Sequence, residues 1–131
     1  MEKKYQIILN EHQLRLVANC IEDISRFLSG QTELWHATSQ LPNYLDLREK
    51  LEELHPLVTP KLEKNSFYGW SGGSCPIEWQ RKKIAETYYL YRTMLYALHK
   101  YDEHWNVYTT PALRCEESGE EIIIKEYNES N

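Results

Sequence analysis

"EHQLRLVANCIEDISRFLSG", Glu11 to Gly30, is the stretch whose reading decides the fold. Its apolar residues Leu14, Val17, Ile21, Ile24 and Leu28 recur with 3-4-3-4 spacing, which draws one continuous stripe along a helix. Asn10 stands before it as N-cap, with Gln13 three residues on in the capping-box position. Gly30 supplies the C′ terminator, the place where a helix ends on a left-handed residue. An amphipathic helix of this length needs a partner for its stripe, so the rest of the chain is read for what can cover it.

Tyr5 to Leu9 ("YQIIL") has the β-branched and aromatic content of a short strand. Gln31 to Pro42 breaks the pattern and reads as a loop holding Trp35 and His36. Asn43 to His55 is a second helix, with Tyr44, Leu47, Leu51 and Leu54 on one face. Pro56 ends it, because the residue before a proline is pushed out of the α region. Pro60 to Ser74 is an extended or irregular connection, and Pro76 suits the first turn of the next helix. That third helix runs for about 25 residues, with Ile84, Tyr88, Tyr91, Leu95 and Leu98 as its seam. Asn106 to Thr110 leaves the helix, and Pro111 opens the last section. Ala112–Cys115 and Glu121–Tyr127 then form a hairpin turning at Glu117-Ser118-Gly119-Glu120. The expected fold is therefore α+β: three helices packed on a small antiparallel sheet formed by the N-terminal strand and a C-terminal hairpin. Residues 1–127 make a single domain and 128–131 a disordered tail.

With 131 residues the chain is long enough for one domain with a core of its own. Ten Tyr and four Trp stand against two Phe, a bias toward rings with a polar handle that suits pockets and interfaces as well as cores. The net charge of −5 argues against a general nucleic-acid coat, which needs a broad basic face. Cys20, Cys75 and Cys115 are odd in number and include no CxxC. No apolar run opens the chain as a signal peptide would, and none approaches a membrane span. A reduced, cytoplasmic protein is expected.

Among candidate sites, Gly69-Trp70-Ser71-Gly72-Gly73 fits G-x-S-x-G, the nucleophile elbow. That elbow joins a buried strand to a helix, whereas "KLEKNSFY" before Gly69 is polar. Asp102 and His104 follow in triad order but lie only two residues apart. The match at Ser71 reads as fortuitous, and no catalytic residue is assigned. Gly72, Gly73 and Ser74 have a second reading as an anion cradle before a helix start, with Arg81, Lys82 and Lys83 close behind. The plain alternative is a helix start with solvated cations, Lys82 pairing with Glu86. Arg92 has Tyr88 at i−4, Tyr89 at i−3 and Tyr96 at i+4, a group that can take a base and a phosphate or equally form core or a subunit contact. His12, His36, His55, His99 and His104 are scattered, so no metal site is assigned. Arg26 and Glu22 read as a surface ion pair, and Arg15, Asn19, Glu22 and Arg26 share a helix face open to a binding role.

The stretches "EDISRFLSGQTELW" (Glu22–Trp35), "RKKIAETYYLYRTMLYAL" (Arg81–Leu98) and "NVYTTPALRCEESG" (Asn106–Gly119) resemble small uncharacterised proteins of gut bacteriophages and prophages. What the resemblance implies is context: an accessory protein acting inside an infected bacterium, where some phage proteins soak up nucleotide signals as oligomers. The residues and that context together lead to a non-enzymatic binding protein, a homo-oligomer without cofactor, sequestering a small phosphate-bearing, nucleotide-like molecule. Its ligand-binding residues would be Trp70, Gly72, Gly73, Ser74, Arg81, Tyr88 and Arg92. The alternative is an interaction module that blocks or scaffolds a host protein through Trp70, Trp79 and Tyr96.

Overall fold

A computed structural model describes residues 3–60, 75–101 and 122–128 of the chain. Five helices follow one another: α1 (Glu11–Leu28), α2 (Trp35–Thr38), α3 (Tyr44–Glu52), α4 (His55–Val58) and α5 (Glu78–His99). The fold is built on α1 and α5, which lie antiparallel. Arg15 at the start of α1 meets His99 at the end of α5. Ala18 meets Tyr91 and Leu95 in mid-helix, and Leu28 meets Ile84 near the opposite end.

Both ends of α1 form as its sequence dictates. The Asn10 side chain accepts from the Gln13 N–H at 2.8 Å, and the Gln13 side chain accepts from the Asn10 N–H at 3.0 Å. This reciprocal pair satisfies two amides that the helix start would leave without a partner. At the other end Gly30 sits at φ 100°, its N–H donating to Phe27 O while the Gln31 N–H donates to Arg26 O, a Schellman ending. A Cβ on Gly30 would stand 2.8 Å from Thr59 Cγ2 and 2.9 Å from the His55 ring, so glycine is required by space as well as by φ.

The face that α1 buries is not the one its stripe suggests. Small Ala18 and Ser25 lie against α5, and the Ser25 hydroxyl donates to Ile84 O. Val17 and Ile24, at the centre of the apolar stripe, stay open, Ile24 being 49% exposed. The reason is steric: two small residues seven apart let α5 approach closely there, which turns the stripe to one side of the contact. The seam on α5 follows its sequence better, with Ile84, Tyr91 and Leu95 buried; Tyr88 is the exception at 42% exposed.

The α+β expectation is overturned, because no strand occurs among the described residues. Tyr5–Leu9 belongs to no ladder, with Tyr5, Ile7 and Ile8 exposed. Residues 122–128 are likewise outside any ladder; the Ile122 N–H donates to the Tyr89 hydroxyl at 3.4 Å. A strand is stable only against another strand, and β-branched content cannot supply one. The proposed partner segment Ala112–Cys115 and the turn at Glu117–Glu120 lie outside the described residues, as do residues 129–131.

Three local expectations also change. Trp35 and His36 open the short helix α2 and do not sit in a loop. The second helix is shorter than Asn43–His55, stopping at Glu52, and Pro56 falls in the first turn of α4, where its missing N–H costs nothing. Pro76 precedes the first helical residue of α5, Glu78, by two positions. The junction of α1, α4 and α5 is polar and saturated. Gln80, buried at the start of α5, donates through Nε2 to Leu28 O at 2.7 Å and to Val58 O at 3.0 Å, and His55 Nδ1 donates to Gly30 O at 2.8 Å. Buried amide groups are tolerable only when bonded in this way. Among the described residues no helix is long and apolar enough to cross a membrane.

Candidate functional site

The polar flank of α1 is the face that folds inward. Arg15, Asn19, Glu22, Asp23 and Arg26 come round on one side of the helix at helical spacing. With Glu33, Trp35 and His36 from the α2 region, and Leu95 and His99 from α5, they line a groove of about 420 Å³. That is within the size range of small-molecule sites.

Its two deepest carboxylates are only 6% (Glu22) and 5% (Asp23) exposed. Burying a carboxylate is costly without partners, and each has them. Asp23 Oδ1 accepts from the His36 N–H at 3.0 Å and Oδ2 from the Ala37 N–H at 2.9 Å. Asp23 thereby caps α2 from a distance, because the residue at the N-cap, Leu34, has no capping side chain and adopts left-handed backbone at φ 51°. Glu22 Oε1 accepts from His36 Nε2 at 2.9 Å, and Glu22 Oε2 takes Arg26 Nη2 at 2.9 Å and Nε at 3.0 Å. The expected Glu22–Arg26 pair exists, with Arg26 at the surface as read and Glu22 buried beneath it. Arg26 Nη1 also donates to Gln31 Oε1 at 2.9 Å. Glu33 is paired with Arg48 of α3 at 3.3 Å.

Arg15 differs. Its Nη1 donates to His99 Nε2 at 2.9 Å, so that nitrogen presents its lone pair and the buried imidazole facing Arg15 is neutral. Its guanidinium is thus held by an imidazole and by no carboxylate among the described residues. Among the described residues the groove thus holds three bonded carboxylates and two arginines, Arg26 on Glu22 and Arg15 on an imidazole. Trp35 borders the groove half-exposed, and Tyr44 meets its ring edge-on, with centroids 5.7 Å apart and an interplanar angle of 82°. A large ring at a rim offers a stacking face to a planar ligand.

Behind the groove, Tyr91 belongs to the core with Ala18 and Leu95. Burial pushes its phenol up to about 12, with Glu22 and Tyr88 acting in the same direction and Arg26 and Arg92 opposing. Of the residues grouped with Arg92 in the sequence, Tyr88 packs edge-on against Tyr91, ring centroids 5.5 Å apart, and Arg92 lies near enough to Tyr91 to oppose the rise of its phenol. Tyr89 points elsewhere, toward Ile122. Arg81 lies farther down α5, its Nη1 donating to Cys75 O at 3.2 Å. Eleven residues of helix, roughly 16 Å, separate it from Arg92. Lys82 pairs with Glu78 at 2.9 Å, not with Glu86, in accord with the better orientation of Glu four residues before Lys. Trp70, Gly72, Gly73 and Ser74 lie outside the described residues, and so do Ser71, Asp102 and His104.

Of the groove, the shared face of Arg15, Asn19, Glu22 and Arg26 was visible in sequence through its spacing. Asp23, Glu33, Leu95 and His99 were not singled out for it, and Trp35 and His36 were noted only as loop residues. Among the described residues no three His, Cys, Asp or Glu side chains gather as a metal site. No family model matches the chain, and no curated protein or solved structure matches it significantly.

Proposed function

We propose that the chain is a non-enzymatic binding protein that holds a small phosphate-bearing, nucleotide-like molecule in the groove between α1, α2 and α5. The observation that carries this reading is Arg15, a half-buried guanidinium held by a neutral imidazole while every carboxylate in the groove is already bonded. An anionic oxygen would complete a charge-assisted bond there, and Trp35 would take the ring. The commitment of Glu22, Asp23 and His36 to one another and to α2 favours holding over turnover. The wording shared with phage and prophage proteins supports an accessory, counter-defence role.

Calorimetric titration of the full chain with mono-, di- and cyclic nucleotides tests the reading. Binding of at least one member is expected, weakened by roughly 10- to 100-fold in Arg15→Gln, the worth of one hydrogen bond to a charged group. Absence of heat across the panel would contradict it. A second reading rests on Trp79, which stands 65% exposed in the first turn of α5 and suits an interaction module for a host protein. One stoichiometric bacterial protein captured by the wild type and lost with Trp79→Ala would favour that module.

A further inference from the structure

We infer that Asn19 is the specificity-determining residue of the groove and that it reads the amino edge of an adenine base. This rests on the ligand reading proposed above and names the ring that Trp35 would take. Asn19 lines the groove from the middle of α1 and is half-buried there. Arg15 lies four residues before it and Asp23 four residues after, so the three share one face at steps of about 6 Å along the axis.

Its bonding sets Asn19 apart from its neighbours. Arg15 is held by His99, Glu22 by His36 and Arg26, and Asp23 by the first amides of α2. The Asn19 carboxamide, by contrast, makes no hydrogen bond to the described residues. It therefore supports no other element, and it stands in the wall of a concave site. A carboxamide offers two N–H donors beside one oxygen acceptor. A few polar groups placed in this way are what fix a ligand's orientation in a pocket.

The best match for a carboxamide is a ring edge with one donor next to one acceptor. Adenine has such an edge, its 6-amino group donating and the adjacent ring nitrogen accepting, and Asn pairs with it through two bonds. Guanine presents two acceptors on the corresponding edge, which would set its O6 against the amide oxygen. Its other edge carries two donors and one acceptor, one group more than a single carboxamide serves. The surplus donor would have to compete for Glu22 or Asp23, which Arg26, His36 and α2 already occupy. The placement suits a mononucleotide. Asp23 fixes the start of α2, and with it Trp35, one turn of α1 to one side of Asn19; Arg15, for the phosphate, is one turn to the other.

Calorimetric titration of the full chain with adenosine monophosphate and with purine riboside monophosphate, which lacks only the 6-amino group, reads the contact. The wild type is expected to bind adenosine monophosphate about 3- to 10-fold more tightly, the worth of one hydrogen bond, and Asn19→Ala to bind both alike. Alanine is the better helix former and removes no bond from the fold, so the helical circular-dichroism spectrum is expected to persist. A wild type that binds the two nucleotides equally overturns the inference, and so does a preference that survives in Asn19→Ala; in both cases the ligand reading stands. A wild type that binds neither also overturns it. Heat with another nucleotide of the panel would then keep the ligand reading, and silence across the panel would end both.

Discussion

The two flanks of α1 differ in an unexpected sense. One carries Glu22 and Asp23 and is buried; the other carries Leu16 and Ile24 and is about half exposed. A helix that served only its own chain's core would be turned the other way. Burial of the charged flank is offset by bonds to Arg26, His36 and the first amides of α2, so its geometry is fixed by partners on α1 and α2. The apolar flank is fixed by nothing on the described residues. The contrast separates two kinds of surface: one whose groups are held by polar partners, one left open among the described residues.

Removing what both flanks share should have the largest effect. Leu95 touches the core cluster and the groove alike, and Leu95→Ala is expected to destabilise by about 3 kcal/mol in urea melts, the usual range for an emptied core site. A loss below about 1 kcal/mol would mean that the α1–α5 seam does not hold the fold together.

Next comes pH. The folded Tyr91 phenol titrates near 12 against about 10 unfolded, so its protonated form favours the native state. That contribution is complete below pH 10 and disappears as pH rises toward 12, amounting to roughly 2 kcal/mol or somewhat more. Tyr91→Phe should flatten the alkaline decline measured by thermal melts at several pH values.

The comparison itself is sharpened by Glu22→Ala against Ile24→Ala, two residues apart within one turn of α1. Losing the carboxylate strands Arg26 and His36 and should cost about 2 kcal/mol, less than a fully buried pair because Arg26 is half exposed. Losing the half-exposed isoleucine should cost only about a few tenths of a kcal/mol, the smallest effect of the set. Equal losses in urea melts would break the contrast between the flanks. Asn10→Ala is expected to fall between the two at about 1 kcal/mol, seen as faster amide exchange in the first turn of α1.

What could be read from the sequence follows from how local each feature is. The capping box at Asn10–Gln13 and the Gly30 ending need only neighbours in the chain, and both formed as read. The seam of α5 was legible through Ile84, Tyr91 and Leu95. The direction in which α1 packs was not, because it depends on how closely α5 approaches Ala18 and Ser25. The strands failed for a related reason: "YQIIL" and "IIIKEY" have strand composition, but a ladder needs a second segment in register. In the groove, four residues share one helix face and could be grouped from spacing alone. Asp23 capping an α2 that begins twelve residues later, and His99 arriving 84 positions from Arg15, are products of tertiary folding that no local pattern announces.

The ligand reading is tested most directly by nuclear magnetic resonance of the full chain during addition of adenosine monophosphate. Binding in the groove predicts saturable shifts of the Arg15 Nε–H and the Trp35 indole N–H, with the amides of Val17, Cys20 and Ile24 unmoved. Shifts confined to the Val17–Ile24 flank, or none at either Arg15 or Trp35, would contradict it.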